Sequence, residues 1–193
     1  MIRRATAADA RILATLVDLA GEGIPSFLWG QQAVPGQAPL DIGMQRAARA
    51  QGGFSYANAW IAEVAGQAAG MLLGYPQPDP FETGPLDDLP PVVRPLVELE
   101  ALSPGSWYVN AVAVVIEHRG VGLGFRLMGL AETSARRAGC PELSLIVAEE
   151  NHGAVALYRR LGYSEVARRP VVAYPGSRHG GSWLLMVCPV SAV

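Results

Sequence analysis

The sequence predicts a single α/β domain, because strand and helix patterns alternate along its 193 residues. Three observations carry this prediction. An apolar start leads into an amphipathic helix, two apolar segments near the middle of the chain resemble a hairpin, and residues 107–188 run strand, helix, strand, helix, strand, strand. A chain of this length buries one substantial core, so one domain is expected over 1–193.

The N-terminal third predicts a strand, two helices and a hairpin. After the apolar start, Thr6 is a candidate N-cap with Asp9 at the third helical position, and apolar residues follow at helical spacing. An Ala-rich stretch that ends at paired glycines indicates a second helix at roughly 40–50. Two apolar segments on either side of Ala65-Gly66 predict an antiparallel hairpin over 56–75.

Prolines dominate the segment 76–104, where eight of them recur. Proline removes a backbone donor and fixes φ, so long regular elements are not expected there. The segment is predicted to be a long exposed connection with at most one short helix near 91–100. Long connections of this kind often cover a functional site.

The remainder of the chain predicts four strands and two helices. Glycine follows each helical pattern, at Gly139 and Gly162, as expected for a C-cap. The predicted strands are Trp107–Val115, Leu143–Ala148 and two near 164–173 and 182–188, and the predicted helices are Gly122–Ala138 and Gly153–Leu161.

Composition argues against several classes of function. Half of the residues are hydrophobic, 17% are charged and the net charge is -2, so neither a nucleic-acid partner nor another polyanion is expected. The apolar runs are too short to cross a bilayer and the start lacks the apolar core of a signal peptide, so we expect a cytoplasmic protein without a membrane partner. The cysteines and histidines lack metal-ligand spacing, so free thiols and no metal are expected.

The stretch "HRGVGLG" connects a predicted strand to a predicted helix. Helix N-termini present unpaired amides, and glycines let a phosphate approach the backbone, so this turn is a candidate anion site with Arg119 as an added cation. A phosphate-binding P-loop would need a lysine that is absent here. A dinucleotide-binding GxGxxG would need glycine where Phe125 stands. A nicotinamide-dependent oxidoreductase is therefore only the runner-up.

Two motifs together resemble the GNAT N-acetyltransferase superfamily. The first is Arg-x-x-Gly-x-Gly over 119–124, directly after "AVAVV". The second is similar to the family's pattern Asn-x-x-Ala-x-x-Leu-Tyr-x-x-x-Gly-aromatic, here over 151–163. The N-terminal "IRRATAADA" looks like the family's first strand and helix start. The resemblance covers most of 105–168 and the N-terminus, whereas 21–55 and 76–104 match no pattern of the family.

The resemblance implies a mixed, twisted sheet with helices on both faces, in which two parallel strands splay apart and bind acetyl-CoA. Backbone groups of the splayed strand would pair with the pantetheine arm, and amides of the glycine turn would hold the pyrophosphate. The implied cofactor-binding residues are Val112, Ala113, Val114, Arg119, Gly120, Val121, Gly122, Leu123, Gly124, Asn151, Ala154 and Tyr158. Asn151 is equally a candidate helix cap, and no metal is implied.

The implied reaction is direct attack of an amine on the thioester. By resemblance, Tyr158 would protonate the leaving thiolate, although a buried structural tyrosine fits the same position. Some family members carry a glutamate on the strand before the turn, but this chain has Tyr108 and Asn110 there. Asn110 cannot act as a base and is expected to orient the amine or a water, while Tyr108 is expected to line the acceptor pocket. Glu100 or a water relay is the predicted base.

The expected activity is N-acetylation of a primary amine, with a small-molecule acceptor preferred. Aromatic residues near the predicted acceptor side would offer apolar or stacking surface: Trp29, Phe54, Tyr75, Phe81 and Trp107. A catalytically inactive acyl-CoA-binding regulatory module is the alternative, since the strand carboxylate is missing. The resemblance also leaves a homodimer open.

Overall fold

The computed structural model describes residues 1–177 and 180–191. Within these residues seven strands form one sheet in the order β1-β2-β3-β4-β5-β7-β6. The strands are β1 (Ile2–Arg4), β2 (Ala59–Val64), β3 (Gln67–Pro76), β4 (Trp107–Val114), β5 (Glu142–Ala148), β6 (Ser164–Pro170) and β7 (Ser182–Pro189). The β4–β5 pair is parallel, whereas β1–β2, β2–β3, β5–β7 and β6–β7 are antiparallel. The predicted mixed α/β fold is confirmed.

Six α-helices accompany the sheet in the described part of the chain. They are α1 (Ala10–Ala20), α2 (Ile24–Gly30), α3 (Pro39–Ala47), α4 (Arg94–Glu100), α5 (Leu123–Ala138) and α6 (His152–Arg160). Helix α2 was not predicted, because Gly21, Gly23 and Pro25 looked like breakers. In the structure Pro25 lies in the first turn of α2, where a missing N–H costs no helical hydrogen bond.

The start of α1 follows the predicted cap with one change. Residues Ala7–Asp9 first form a short 3₁₀ turn, and the Thr6 main-chain N–H donates to Asp9 Oδ2 at 2.7 Å. The Arg3 guanidinium donates to both Asp9 oxygens at 2.8 and 2.9 Å and holds the pKa of that carboxyl at about 2. The Arg3–Asp9 ion pair therefore connects strand β1 to the turn at which α1 begins.

The first of two compact units comprises Met1–Tyr75 and Ala111–Leu130. Its core brings together α1, α3 and the central hairpin, and the fully buried side chains include Leu13, Leu16, Ile61, Met71 and Leu73. Trp29 is buried and stacks on Phe54, with ring centroids 5.9 Å apart.

The second compact unit comprises 76–110 and the chain from 131 onward. Leu99, Leu143, Leu145, Leu185 and Met186 are fully buried within it. The expectation that 76–104 is an exposed connection was wrong in part. The short helix near 91–100 is present as α4, but Gln77, Val92, Leu99 and Ser103 are buried, because this segment packs against strands of its own unit.

No single helix in the described ranges is both long and apolar enough to span a bilayer. The stretches Ala7–Ala20 and Ile24–Gly30 reach that length and composition only as a pair, which is bent by 116°.

Candidate active site

The glycine turn lies in the first unit, between the end of β4 and the start of α5. A 3₁₀ turn, Ile116–His118, leads into residues 119–122, all of them exposed. Gly120 and Gly122 have φ of 78° and 81°, a backbone conformation that favours glycine. A Cβ added at either position would meet no atom within 4 Å, so the space beside the backbone is open. Helix α5 then presents its N-terminal amides at Leu123 and Gly124.

Arg119 is fastened to the strand that precedes the turn. Its Nε donates to the main-chain oxygen of Val114 at 3.0 Å, while the side chain stays exposed. This hydrogen bond holds the guanidinium at the end of β4, beside the positive end of the α5 dipole. Two sources of positive potential therefore lie on one short segment.

Strand β4 changes its pairing part of the way along its length. The parallel register with β5 consists of three residue pairs, from Trp107–Leu143 to Val109–Leu145, although β4 continues to Val114. Val112, Ala113 and Val114 therefore lie beyond the residues of β4 that pair with β5. On the β3 side the two backbones approach closely, because a Cβ added at Gly70 would lie 2.6 Å from the Ala113 oxygen.

The second signature forms the start of α6, in the second unit. Asn151 is its N-cap, and the Asn151 side-chain oxygen accepts a hydrogen bond from the Ala154 main-chain N–H at 3.3 Å. The capping role that the sequence allowed is therefore present. Asn151 and Ala154 belong to the second unit, whereas the glycine turn belongs to the first.

Tyr158 lies within α6 and is buried, with 7% of its surface exposed. Its ring packs at a tilt against Tyr163, with centroids 5.8 Å apart. Burial raises the pKa of Tyr158 well above its ordinary value. The phenol is therefore protonated at neutral pH, which a proton donor requires and which a structural core tyrosine satisfies equally.

Glu100 and Tyr108, which the sequence separates by a turn, meet in the second unit. Glu100 is the last residue of α4, Tyr108 is buried on β4, and the Tyr108 phenol hydrogen-bonds the Glu100 carboxyl. Burial raises the pKa of Glu100 to about 7, and the hydrogen bond from Tyr108 opposes that rise. A carboxyl with this pKa is poised to exchange protons near neutral pH.

The charged residue nearest Glu100 on the same helix has a different environment. Glu98 accepts a hydrogen bond from Arg169 Nε of β6 at 2.5 Å, and both side chains are more than one-third exposed. The two glutamates of α4 are therefore distinct: one is ion-paired at the surface, and the other is half-buried beside a phenol.

The remaining sequence-predicted residues divide between surface and core. Asn110 is exposed on β4, one residue beyond the last β5 pair. The expectation that Trp29 and Trp107 present stacking surface was wrong, because they are 3% and 2% exposed and fill the cores of their units.

Sequence reasoning missed four buried polar side chains around the α4–β4 connection. They are Gln77, Ser103, Ser106 and Ser144. The available signal was weak: a serine inside the apolar run "LSLIVA", and another directly before the apolar start of β4. No group of three or more metal-ligating side chains occurs among residues 1–177 and 180–191, and His179 lies outside those residues.

Residues 30–163 match the model of the acetyltransferase (GNAT) family. No match to a curated protein sequence was found.

Solved structures show the same fold at low sequence identity. An N-acetyltransferase from Staphylococcus aureus Mu50 is 17% identical with a TM-score of 0.64, over 97% of this chain and 99% of that one. A ribosomal-protein-alanine N-acetyltransferase from Brucella melitensis is 21% identical with a TM-score of 0.62, over 98% and 99%. Naa20 of Chaetomium thermophilum, solved with a bisubstrate analogue, is 21% identical with a TM-score of 0.60, over 98% and 86%.

Proposed function

Because this chain belongs to the acetyltransferase (GNAT) family, we propose that it transfers the acetyl group of acetyl-CoA to a primary amine by direct attack, with Glu100 as the general base. The observation that carries the base assignment is the contact of half-buried Glu100 with buried Tyr108. With a pKa of about 7, a large fraction of Glu100 is ionised at neutral pH and accepts a proton from the attacking amine.

The glycine turn suits the diphosphate of coenzyme A. Two positive-φ glycines with open space beside them, the first amides of α5 and the tethered Arg119 offer several donors to one anion. Val121, Leu123 and Gly124 contribute main-chain amides, and Val112, Ala113 and Val114 contribute strand backbone to the pantetheine arm. The bound cosubstrate supplies an activated acetyl thioester.

Three residues complete the proposed roles. Tyr158 donates a proton to the leaving thiolate, and its raised pKa keeps the phenol protonated until it is needed. Asn151 and Ala154 place the start of α6 for contact with the cofactor arm. Asn110, exposed on β4, orients the amine by hydrogen bonding, because an amide side chain both donates and accepts.

The proposed acceptor is a small molecule with a primary amine. The relative from Brucella melitensis is named for acting on an alanine of a ribosomal protein. A peptide N-terminus is therefore the acceptor class against which small amines have to be compared.

The test is a thiol-release assay with acetyl-CoA and a panel of small amines, polyamines, aminoglycosides, amino acids and peptide N-termini. We expect turnover with a small amine, and a Glu100→Gln variant that lowers kcat by roughly 100-fold, the lower end of the range for general-base catalysis. Glu98→Gln is the matched control, from the same helix, and should stay within about twofold of wild type. Turnover with peptides alone would reassign the acceptor.

The catalytic and binding roles separate in two further variants. Arg119→Ala removes a charged donor, and we expect it to weaken CoA binding by about tenfold in calorimetry, with Arg11→Ala on exposed α1 as the control. Tyr158→Phe keeps the ring and should leave CoA binding within about twofold while lowering kcat by at least roughly tenfold.

Equal losses of CoA affinity in Arg119→Ala and Tyr158→Phe would refute this division. CoA binding without thiol release on any acceptor would instead favour the acyl-CoA-binding regulatory module.

A further inference from the structure

Buried hydroxyl groups link β5 to the connection between α4 and β4. Ser106 Oγ donates to the Ser103 main-chain oxygen at 2.7 Å and lies 2.7 Å from Ser144 Oγ. A hydroxyl has one hydrogen to donate, so Ser106 accepts from Ser144. All three serines are at most 1% exposed.

Gln77 joins this network from the end of β3. The Gln77 main-chain N–H donates to the main-chain oxygen of Ser106 at 2.8 Å. Its side-chain amide faces two carbonyl oxygens, so the nitrogen is the atom turned toward them. That nitrogen lies 3.0 Å from the main-chain oxygen of Glu100 and 3.2 Å from the main-chain oxygen of Ser103. The Gln77 side chain is itself buried, at 6% exposed.

The network therefore ends on the main chain of Glu100. The last carbonyls of a helix have no intrahelical partner, and here the Glu100 carbonyl accepts from Gln77 and from the Ser103 main-chain N–H at 3.2 Å. The same hydrogen bonds fix residues 101–106, which separate Glu100 from β4. Because Tyr108 follows two residues after Ser106, both ends of the Glu100–Tyr108 pair are held by one set of bonds.

Such a network is costly unless every member is satisfied. Burying a hydroxyl or an amide without a partner costs several kcal/mol, whereas apolar side chains would fill the same volume without that risk. In return, the hydrogen bonds fix the direction in which the helix ends. Proton transfer depends on such placement, because small displacements of a catalytic group lower rates steeply.

We propose that Gln77, Ser106 and Ser144 are positioning residues that hold Glu100 against Tyr108 for proton transfer, an inference that rests on the proposed function. None of the three needs to touch a substrate. Their effect is transmitted through the main chain at the end of α4 and through the connection to β4.

The test compares Ser106→Ala and Gln77→Leu with Ser55→Ala. Ser55 is a matched control, because it is equally buried, bonds the Arg49 oxygen at 2.5 Å and lies in the other unit. Three properties are measured: the melting temperature, kcat and KM against pH, and the titration of Glu100 by ¹³C NMR of glutamate-labelled protein. Subtraction of the Glu100→Gln spectrum assigns the signal.

We expect Ser106→Ala and Gln77→Leu to lower kcat by about tenfold with KM within about twofold. The Glu100 titration midpoint should also fall by roughly one pH unit, because a released helix end admits water around the carboxyl. Ser55→Ala should lower the melting temperature by a similar amount and leave kcat, KM and the midpoint unchanged.

The outcomes separate this inference from the proposed function. If Glu100→Gln keeps wild-type kcat, the base assignment fails, whatever the network variants do. If Glu100→Gln is impaired but Ser106→Ala and Gln77→Leu behave like Ser55→Ala in kcat and in the titration midpoint, the positioning role is refuted alone. Should either variant fail to fold, Ser144→Ala removes the far end of the same network and takes its place under the same criteria.

Discussion

A carboxyl group that stays protonated inside the folded chain, while it ionises in the unfolded chain, makes stability depend on pH. The pKa of Glu100 is about 7 in the folded protein, against an ordinary value of 4.5. Between these values the folded state binds more protons than the unfolded state, so the free energy of unfolding falls as pH rises through this window. The stability is fully present below pH 4.5 and is reduced above pH 7.

Glu100→Gln should remove this dependence, because the amide stays neutral and still accepts a hydrogen bond from Tyr108. We expect the variant to be more stable than wild type at pH 8 by roughly 3 kcal/mol, and the difference to vanish near pH 4.5. Urea unfolding at several pH values measures it. A wild-type advantage at pH 8 would show that the carboxyl is not buried as described.

At the scale of single residues, the sequence predicted which residues belong to the candidate site better than it predicted the surroundings of their side chains. The motif residues Arg119 and Asn151 could be named from their patterns, and Asn151 has the predicted cap contact with Ala154. Glu100 could be named only as a candidate. Its pKa depends on burial among residues distant in the chain, and no local pattern encodes that burial.

Among the elements, the close approach of β3 and β4 depends on one missing side chain. A Cβ at Gly70 would lie 2.6 Å from the main-chain oxygen of Ala113, and a backbone atom cannot turn aside as a flexible side chain can. The segment that follows, up to Val114, is the one proposed to pair with the cofactor arm. The spacing of β3 and β4 is therefore expected to affect both the free energy of unfolding and the binding of CoA.

Gly70→Ala should lower the free energy of unfolding by about 1–3 kcal/mol, as overpacking does, and should weaken CoA binding as β4 is displaced. Denaturant melts and calorimetry measure the two effects. Gly129→Ala is the control, because Gly129 is exposed within α5 with open space at its Cβ, and alanine there should stabilise by roughly 0.5–1 kcal/mol. A Gly70→Ala variant as stable as Gly129→Ala would contradict the described strand spacing.

Elements with strong periodicity were predictable and those built around prolines were less so. The strands of the central hairpin and the helix after the glycine turn lie close to their predicted positions, because hydrophobic spacing and terminal glycines mark them. Helix α2 was missed, since proline inside a first turn looks like a breaker when the turn itself is unknown. The burial of Gln77 in a Pro-rich segment was missed because only packing against its own unit reveals it.

For the molecule as a whole, two motifs in order predicted both the family and the fold. The family match over residues 30–163 confirms the resemblance, and the β4–β5 pair is parallel, as the resemblance implied. The division of β4 and α5 between two compact units was not predictable, because it depends on contacts across the sheet that local patterns do not contain.

Cofactor choice can be tested on the intact protein without an acceptor. A ligand that binds only the folded state at about 100 times its Kd adds roughly 2.7 kcal/mol of stability, which for a chain of this size raises Tm by about 5–11 °C. We expect this shift with CoA and none with NAD. Arg119→Ala should need a higher CoA concentration for the same shift, and protection by NAD alone would revive the oxidoreductase interpretation.

The two cysteines limit the background signal when a thiol-reactive dye is used to detect released CoA. Cys140 and Cys188 are unpaired, Cys140 is buried, and burial raises the pKa of both groups, so few of them are present as the reactive anion at neutral pH. Even complete reaction yields two equivalents per polypeptide. Signal beyond that stoichiometry must therefore come from the cosubstrate, and a slow phase within it is the protein itself reacting with the dye.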